Sequence, residues 1–234
     1  VDEDDGLLAH DLFSFVFVLS TWENDRSFLF LKIDPEKFAC QAKRERSFYH
    51  FCMSTSEARE RLLRTASELF YADGIHSVGV DRIVESAGVT RATFYRHFPG
   101  KEDLVQAYLE REDAQLRGAF AGIEGLPPEQ QLEGAILGIA DDITRNHTRG
   151  CPFINASAEY PDAASPIRQV IKGHRDWFRF TLQGALEAAG REDAAERAGA
   201  LVLLRDAALV GGYLDGPDTI RDTFVSTART VAGL

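Results

Sequence analysis

The sequence predicts an all-α fold, with an N-terminal helix-turn-helix unit of three helices followed by a larger C-terminal helical domain. Three observations carry that expectation. From Ser54 onward, apolar residues recur at steps of three and four. The breaks between these stretches hold glycine and proline. No alternating strand pattern interrupts them. With 234 residues and 44% apolar composition, the chain can build one large or two modest cores.

Residues 1–52 differ from the rest. They hold eight of the sixteen phenylalanines and show neither sustained periodicity nor clear helix caps. One expectation is that the natural start is Met53, the only methionine, and that residues 1–52 are translated upstream sequence or disordered. The other is a genuine extension with short strands or an amphipathic arm. Asp2, Glu3, Asp4 and Asp5 precede the apolar stretch 12–19 where a signal peptide needs positive charge.

The first helix is capped by Ser54, Thr55 or Ser56, carries Glu57 and Glu60 in its first turn, and buries Leu62, Leu63, Ala66, Leu69 and Phe70. Gly74 ends it. A second helix over Val80–Ala87 turns Ile83, Val84 and Ala87 inward, Gly88 supplies the turn, and a third runs from about Thr90 to His97. Pro99 and Gly100 precede a fourth from Lys101 to about Phe120. After a loop with Gly122, Gly125, Pro127 and Pro128, helices are expected near 128–147, 164–189, 192–214 and 217–232. The domains are accordingly read as 53–101 and 102–234.

The chain carries a formal net charge of -11, yet Gly88 to Lys101 holds Arg91, Arg96, His97 and Lys101 without one acidic residue. Such a local excess of cations suits docking onto phosphates, so DNA binding is the first functional expectation. Thr90 is positioned to cap the third helix and to meet a phosphate. Arg91 and Thr93 lie near its start, where side chains reach base edges in the major groove. Phe94 and Phe98, four residues apart, should pack inward.

The segments Leu62–Gly74 (LLRTASELFYADG), Val80–Gly88 (VDRIVESAG), Val89–Phe98 (VTRATFYRHF) and Lys101–Leu104 (KEDL) resemble the amino-terminal DNA-binding domain of TetR-family transcriptional regulators. The resemblance covers about fifty residues in matching order and spacing. It implies that Tyr95, Arg96, His97 and Lys101 face the DNA backbone. For Lys101 the residues alone leave open pairing with Glu102 or Asp103. Gly79 stands where the family often has Ser or Thr, removing one hydroxyl from the start of the second helix.

The remaining half is similar in architecture to the family's effector-binding and dimerisation domain. The resemblance implies a homodimer on a palindromic operator, released by a small-molecule effector, with repression as the default sign. The dimer surface is expected on the last two helices, through Ala198, Leu201, Val202, Leu204, Leu209 and Leu214 on one and Ile220, Phe224, Val225 and Val231 on the other; the alternative is that these stripes only form the subunit's own core. Candidate effector-site residues are Cys151, Phe153, Asn155, Glu159, Trp177, Phe178 and Tyr213, with Phe180 beside them. Aromatic residues with a few polar groups suit an apolar, partly polar ligand.

Gly150–Asn155, followed by Glu159, resembles a segment in one branch of the family, some members of which sense electrophiles or oxidants through cysteine. Arg145, His147 and Arg149 stand close upstream of Cys151, and cations can depress a thiol pKa. A buried small apolar cysteine at a helix start is the other reading.

Other classes find little support. No H-E-x-x-H, G-x-S-x-G, phosphate-loop or dinucleotide fingerprint is present, and the adjacent Asp141 and Asp142 point different ways on a helix, so no catalytic residue is expected. An enzyme using a helical pocket and a helix-turn-helix adaptor that binds another protein remain the alternatives. Cys40, Cys52 and Cys151 are odd in number and lack C-x-x-C spacing, so neither a disulfide framework nor a metal site is expected, and no cofactor is. The longest apolar runs fall short of the roughly 20 residues a membrane span requires. The expected location is cytoplasmic.

Overall fold

In the computed structural model the described residues are 57–234, all of them helical or connecting segments without a strand. The expectations for residues 1–52 and the caps at Ser54, Thr55 and Ser56 lie outside them. Helix α1 (57–73) turns Leu62, Leu63, Ala66 and Phe70 into the core, as its spacing requires, and ends at Gly74, where φ is +89°. Helix α2 (Val80–Ser86) buries Ile83 and starts at Gly79 without a side-chain cap. Gly88 then reverses the chain at φ +62°, a conformation that costs residues with a Cβ, while the Gly88 and Val89 N–H groups donate to the carbonyls of Glu85 and Val84.

Helix α3 (Arg91–His97) is capped by Thr90, whose hydroxyl oxygen accepts the Thr93 N–H at 3.1 Å. Replacing such a cap by alanine costs about 1 kcal/mol. Phe94 and Phe98 are both buried, so one stripe of α3 anchors it and the other faces are free.

Helix α4 (Lys101–Ala121) belongs to both halves of the molecule. Near its start Tyr108 packs against Phe70 of α1, with ring centroids 5.9 Å apart. Near its end Phe120 sets its edge against Trp177 and Phe178, each at 5.6 Å. Residues 58–234 pack as one unit, so position 101 marks the start of a shared helix and not a gap in packing.

The larger half consists of α5 (Pro128–Arg145), α6 (Pro152–Glu159), α7 (Pro166–Ala188), α8 (Ala194–Asp215) and α9 (Pro217–Ala232). Four of these match the sequence expectation to within a few residues, whereas α6 was expected only as a helix start at Cys151. It spans only 8 residues, too few to show a period. Pro152 opens it from the first turn, where a missing N–H costs nothing.

Helices α8 and α9 fold back on each other at Gly216, and α5 lies against both. A Cβ on Gly212 would fall 3.1 Å from Ile143 Cγ2, so the absence of a side chain sets the closeness of α8 and α5. Ile136, Ile143, Leu182, Leu209 and Phe224 are among the buried side chains of this half, each giving roughly 1.5–3 kcal/mol on burial. No helix among the described residues is long and apolar enough to cross a membrane.

Candidate nucleic-acid interface

The buried Phe94 and Phe98 direct the other side chains of α3 outward. Arg91 is exposed and reaches back to Asp81 of α2, Nη2 to Oδ1 at 3.3 Å. An exposed pair of this kind contributes little and leaves the guanidinium accessible. Thr93 is half-buried, with its hydroxyl 2.9 Å from that of Thr90. Tyr95 is 49% exposed and Arg96 is also exposed.

His97 is half-buried, and its Nε2 is buried without a hydrogen-bond partner. Burial lowers its pKa, and the positive charges of Arg96 and Arg59 lower it further. Arg59 was not singled out from the sequence. Its guanidinium lies over the Phe98 ring at 5.1 Å, so α1 adds a cation beside the end of α3. Only the crossing of the two helices reveals this. Lys101 Nζ lies 6.0 Å from the Phe70 ring centroid, and among the described residues no ion pair joins it to Glu102 or Asp103. Burial lowers its pKa, partly offset by Glu159.

Behind this face is a cavity of about 570 Å3, lined by α1, α4, α5, α7 and α8. Helix α1 contributes Ser67, Glu68 and Tyr71, so the helix that supports α3 also forms a wall of the cavity. Phe120, Ile139 and Phe178 provide apolar surface, and Arg205 of α8 is a buried cation at the lining.

Opposite charges gather around His147. Its Nδ1 is 2.7 Å from Asp142 Oδ2 and its Nε2 3.4 Å from Glu112 Oε2. Burial alone would depress the imidazole, but the two hydrogen-bonded carboxylates prevail and hold its pKa up at about 9. Burial raises Tyr71 to about 12 despite its hydrogen bond from Arg149, and Tyr108 is raised in the same direction by burial.

The cavity wall is tied to the helix-turn-helix unit by specific bonds. The Tyr71 hydroxyl accepts the Arg149 N–H at 2.7 Å and donates to the Gly150 carbonyl at 3.0 Å. The Glu159 carboxylate of α6 accepts the Ile75 N–H at 2.7 Å and also the His76 N–H. The loop before α6 thus grips the last turn of α1, and the end of α6 grips the segment between α1 and α2.

The model of bacterial regulatory proteins of the tetR family matches residues 62–108, which hold α2, α3 and most of α1. A crystal structure of a TetR-family transcriptional regulator from Streptomyces coelicolor is 43% identical, superposes with a TM-score of 0.73, and is covered over 95% of its length by 76% of this chain. The chain belongs to the TetR family. Among curated TetR-type relatives, the regulator SrpR of Pseudomonas putida is 33% identical over 87 residues, 37% of this chain and 40% of SrpR. The activator FasR of Mycolicibacterium smegmatis is 44% identical over 123 residues, 51% of this chain and 56% of FasR. The chain therefore spans about half the length of these two curated relatives.

Most of the residues expected at an effector site do not line this cavity. Only Phe178 of the seven lines the cavity. Phe153 is core, its ring stacked on His174 at 3.8 Å, and Cys151 is 1% exposed with its Sγ 3.7 Å from Arg205 Nη1. Asn155 Nδ2 donates to the Arg149 carbonyl, and Glu159 is occupied by the amides between α1 and α2. Trp177 packs beneath the Arg117 guanidinium at 4.4 Å. Tyr213 is 55% exposed on the outside of α8, and Phe180 is exposed on α7. Aromatic composition marked a cluster, but packing uses most of it.

The expected dimer stripe also needs correction. Ala198, Leu201, Val202, Leu209, Phe224 and Val225 are buried in the subunit's own core. Of that expected stripe only Leu214 is fully exposed, and it continues a different face of α8 through Val210, Ala207 and Leu203.

Proposed function

We propose that this TetR-family regulator binds a palindromic operator as a homodimer, inserts α3 into the major groove, and is released when a small molecule enters the cavity, so that it represses in the unliganded state. The observation carrying this reading is α1, whose Ser67, Glu68 and Tyr71 line the cavity while its Arg59 lies over Phe98 at the end of α3. Under it, Arg91 and Thr93 read bases, and Thr90, Tyr95, Arg96, His97 and Lys101 contact the backbone. Arg59 joins the backbone set.

A single module covers few base pairs, which favours a two-fold dimer on two half-sites. The exposed apolar face of α8, with Leu203 at 69% exposure, supports pairing through the last two helices. An effector can act only by binding the two spacings of the reading heads with different affinity. The Tyr71 and Glu159 contacts supply a route by which the cavity biases that spacing. The domain division at 101, a role as regulator and not enzyme, and action in the cytoplasm follow from the same reading.

A cysteine-sensing alternative is disfavoured by the burial of Cys151, which limits access of an oxidant. A gel-shift assay with DNA flanking the gene tests the proposal. It expects a palindrome bound with steep salt dependence, and no shift at low salt would overturn it. A reporter carrying that palindrome tests the sign, with repression expected.

A further inference from the structure

Arg205 is 4% exposed in the middle of α8, lines the cavity, and has no hydrogen-bond partner for its Nη2. Its Nη1 has only long contacts, 3.7 Å to Cys151 Sγ and 3.5 Å to Asp206 Oδ1. Asp206 is already committed, because its Oδ2 is 2.8 Å from Arg175 Nη2. Two guanidinium groups therefore share one carboxylate, leaving one positive charge in excess.

The neighbours do not remove that excess. Asp113 pairs with Arg117 at 2.7 Å and with His174 Nδ1 at 2.8 Å. His174 stays neutral and adds no further positive charge, since burial depresses its pKa to about 4, with the hydrogen bond to Asp113 opposing and Arg205 reinforcing the depression. A buried cation without a full partner is costly, and an incoming carboxylate can meet an arginine with charge-assisted hydrogen bonds.

Resting on the reading of the cavity as an effector site, we infer that its ligand is an amphipathic monocarboxylate, with the carboxylate at Arg205 and the apolar body along Phe120, Phe178 and Ile139. A single negative charge offsets the local excess at Arg205, and a second would meet Asp142 and Glu112, which outnumber the His147 cation on the same lining. The Phe178 ring lies 5.1 Å from the Arg205 guanidinium, so charge and apolar wall adjoin. Asp142 and Glu112 elsewhere on the lining repel the carboxylate and thereby set its orientation.

Calorimetric titration of the full chain with octanoate, octanol and octylammonium tests this. Octanoate is expected to bind at least tenfold more tightly than octanol, and R205M is expected to abolish that preference while leaving octanol binding in place. Equal binding of octanoate and octanol, tighter binding of octylammonium, no binding of octanoate, or an unchanged preference in R205M would each overturn the inference. Should R205M not fold, as judged by circular dichroism, the comparison of the three probes on the unsubstituted chain still decides. A gel shift without probes keeps the two readings apart, because operator binding with no carboxylate preference removes only this inference.

Discussion

The Arg149 N–H donates to the Tyr71 hydroxyl at 2.7 Å while the Arg149 guanidinium donates to the Tyr71 carbonyl, so one residue clasps another at both its ends. Tyr71 also lines the cavity and packs edge-on against His147, with centroids 5.8 Å apart. Removing only its hydroxyl by Y71F unpairs the Arg149 N–H and the Gly150 carbonyl. The expected loss is about 1–3 kcal/mol, or roughly 2–10 °C in melting temperature for a chain of this size. An unchanged melting curve would show that the clasp contributes nothing.

Under the proposed operator binding, α3 is expected to make two kinds of DNA contact. R91A should cost about 1–3 kcal/mol on the cognate operator and relax selection at one base position. R96A should weaken binding uniformly across sequences and reduce the salt slope by about one. Binding measured against operators with single-base changes, over a range of salt, distinguishes them. Equal losses on every sequence for R91A would remove it from base reading.

Acid and alkali should act on different histidines. His147 is held at about 9, above the ordinary 6.5, so its contribution is full below pH 6.5 and is lost as pH rises through 9. His174 is held at about 4, so folding keeps it neutral, and its contribution is present above pH 6.5 and lost as pH falls toward 4. Stability should peak near pH 6.5, and each loss is of the order of 3 kcal/mol. Denaturant melts across pH on H147Q should lack the alkaline decline; an identical decline would assign it to another group.

Leu203, Val210 and Leu214 expose a continuous apolar face. A charge placed there by L203E should shift a dimer to monomer in analytical ultracentrifugation and weaken operator binding at least tenfold, with the melting curve of the monomer retained. An intact dimer would move the interface away from this face of α8.

Local chemistry made the helix-turn-helix readable. Gly74, Gly88, Thr90 and Pro99 each impose a conformation or a cap, and Phe94 and Phe98 repeat at a helical step. The larger half was less transparent because α8 is apolar on more than one side. Its period could not tell the inward Leu201 and Leu209 from the outward Leu203 and Val210. The cavity was hidden for a different reason, since its walls come from five helices far apart in sequence. Arg205, a charge within an apolar run, was the one local sign of it.

Helix α4 has 21 residues. At about 1.5 Å per residue it is a rod of roughly 31 Å. Pivoting that rod by about 5° around Phe120 would carry Lys101 about 2.5 Å, approaching the ~3.4 Å between stacked base pairs. Angular tolerance at the aromatic end is thus converted into positional error at the other end on the scale of a single nucleotide step.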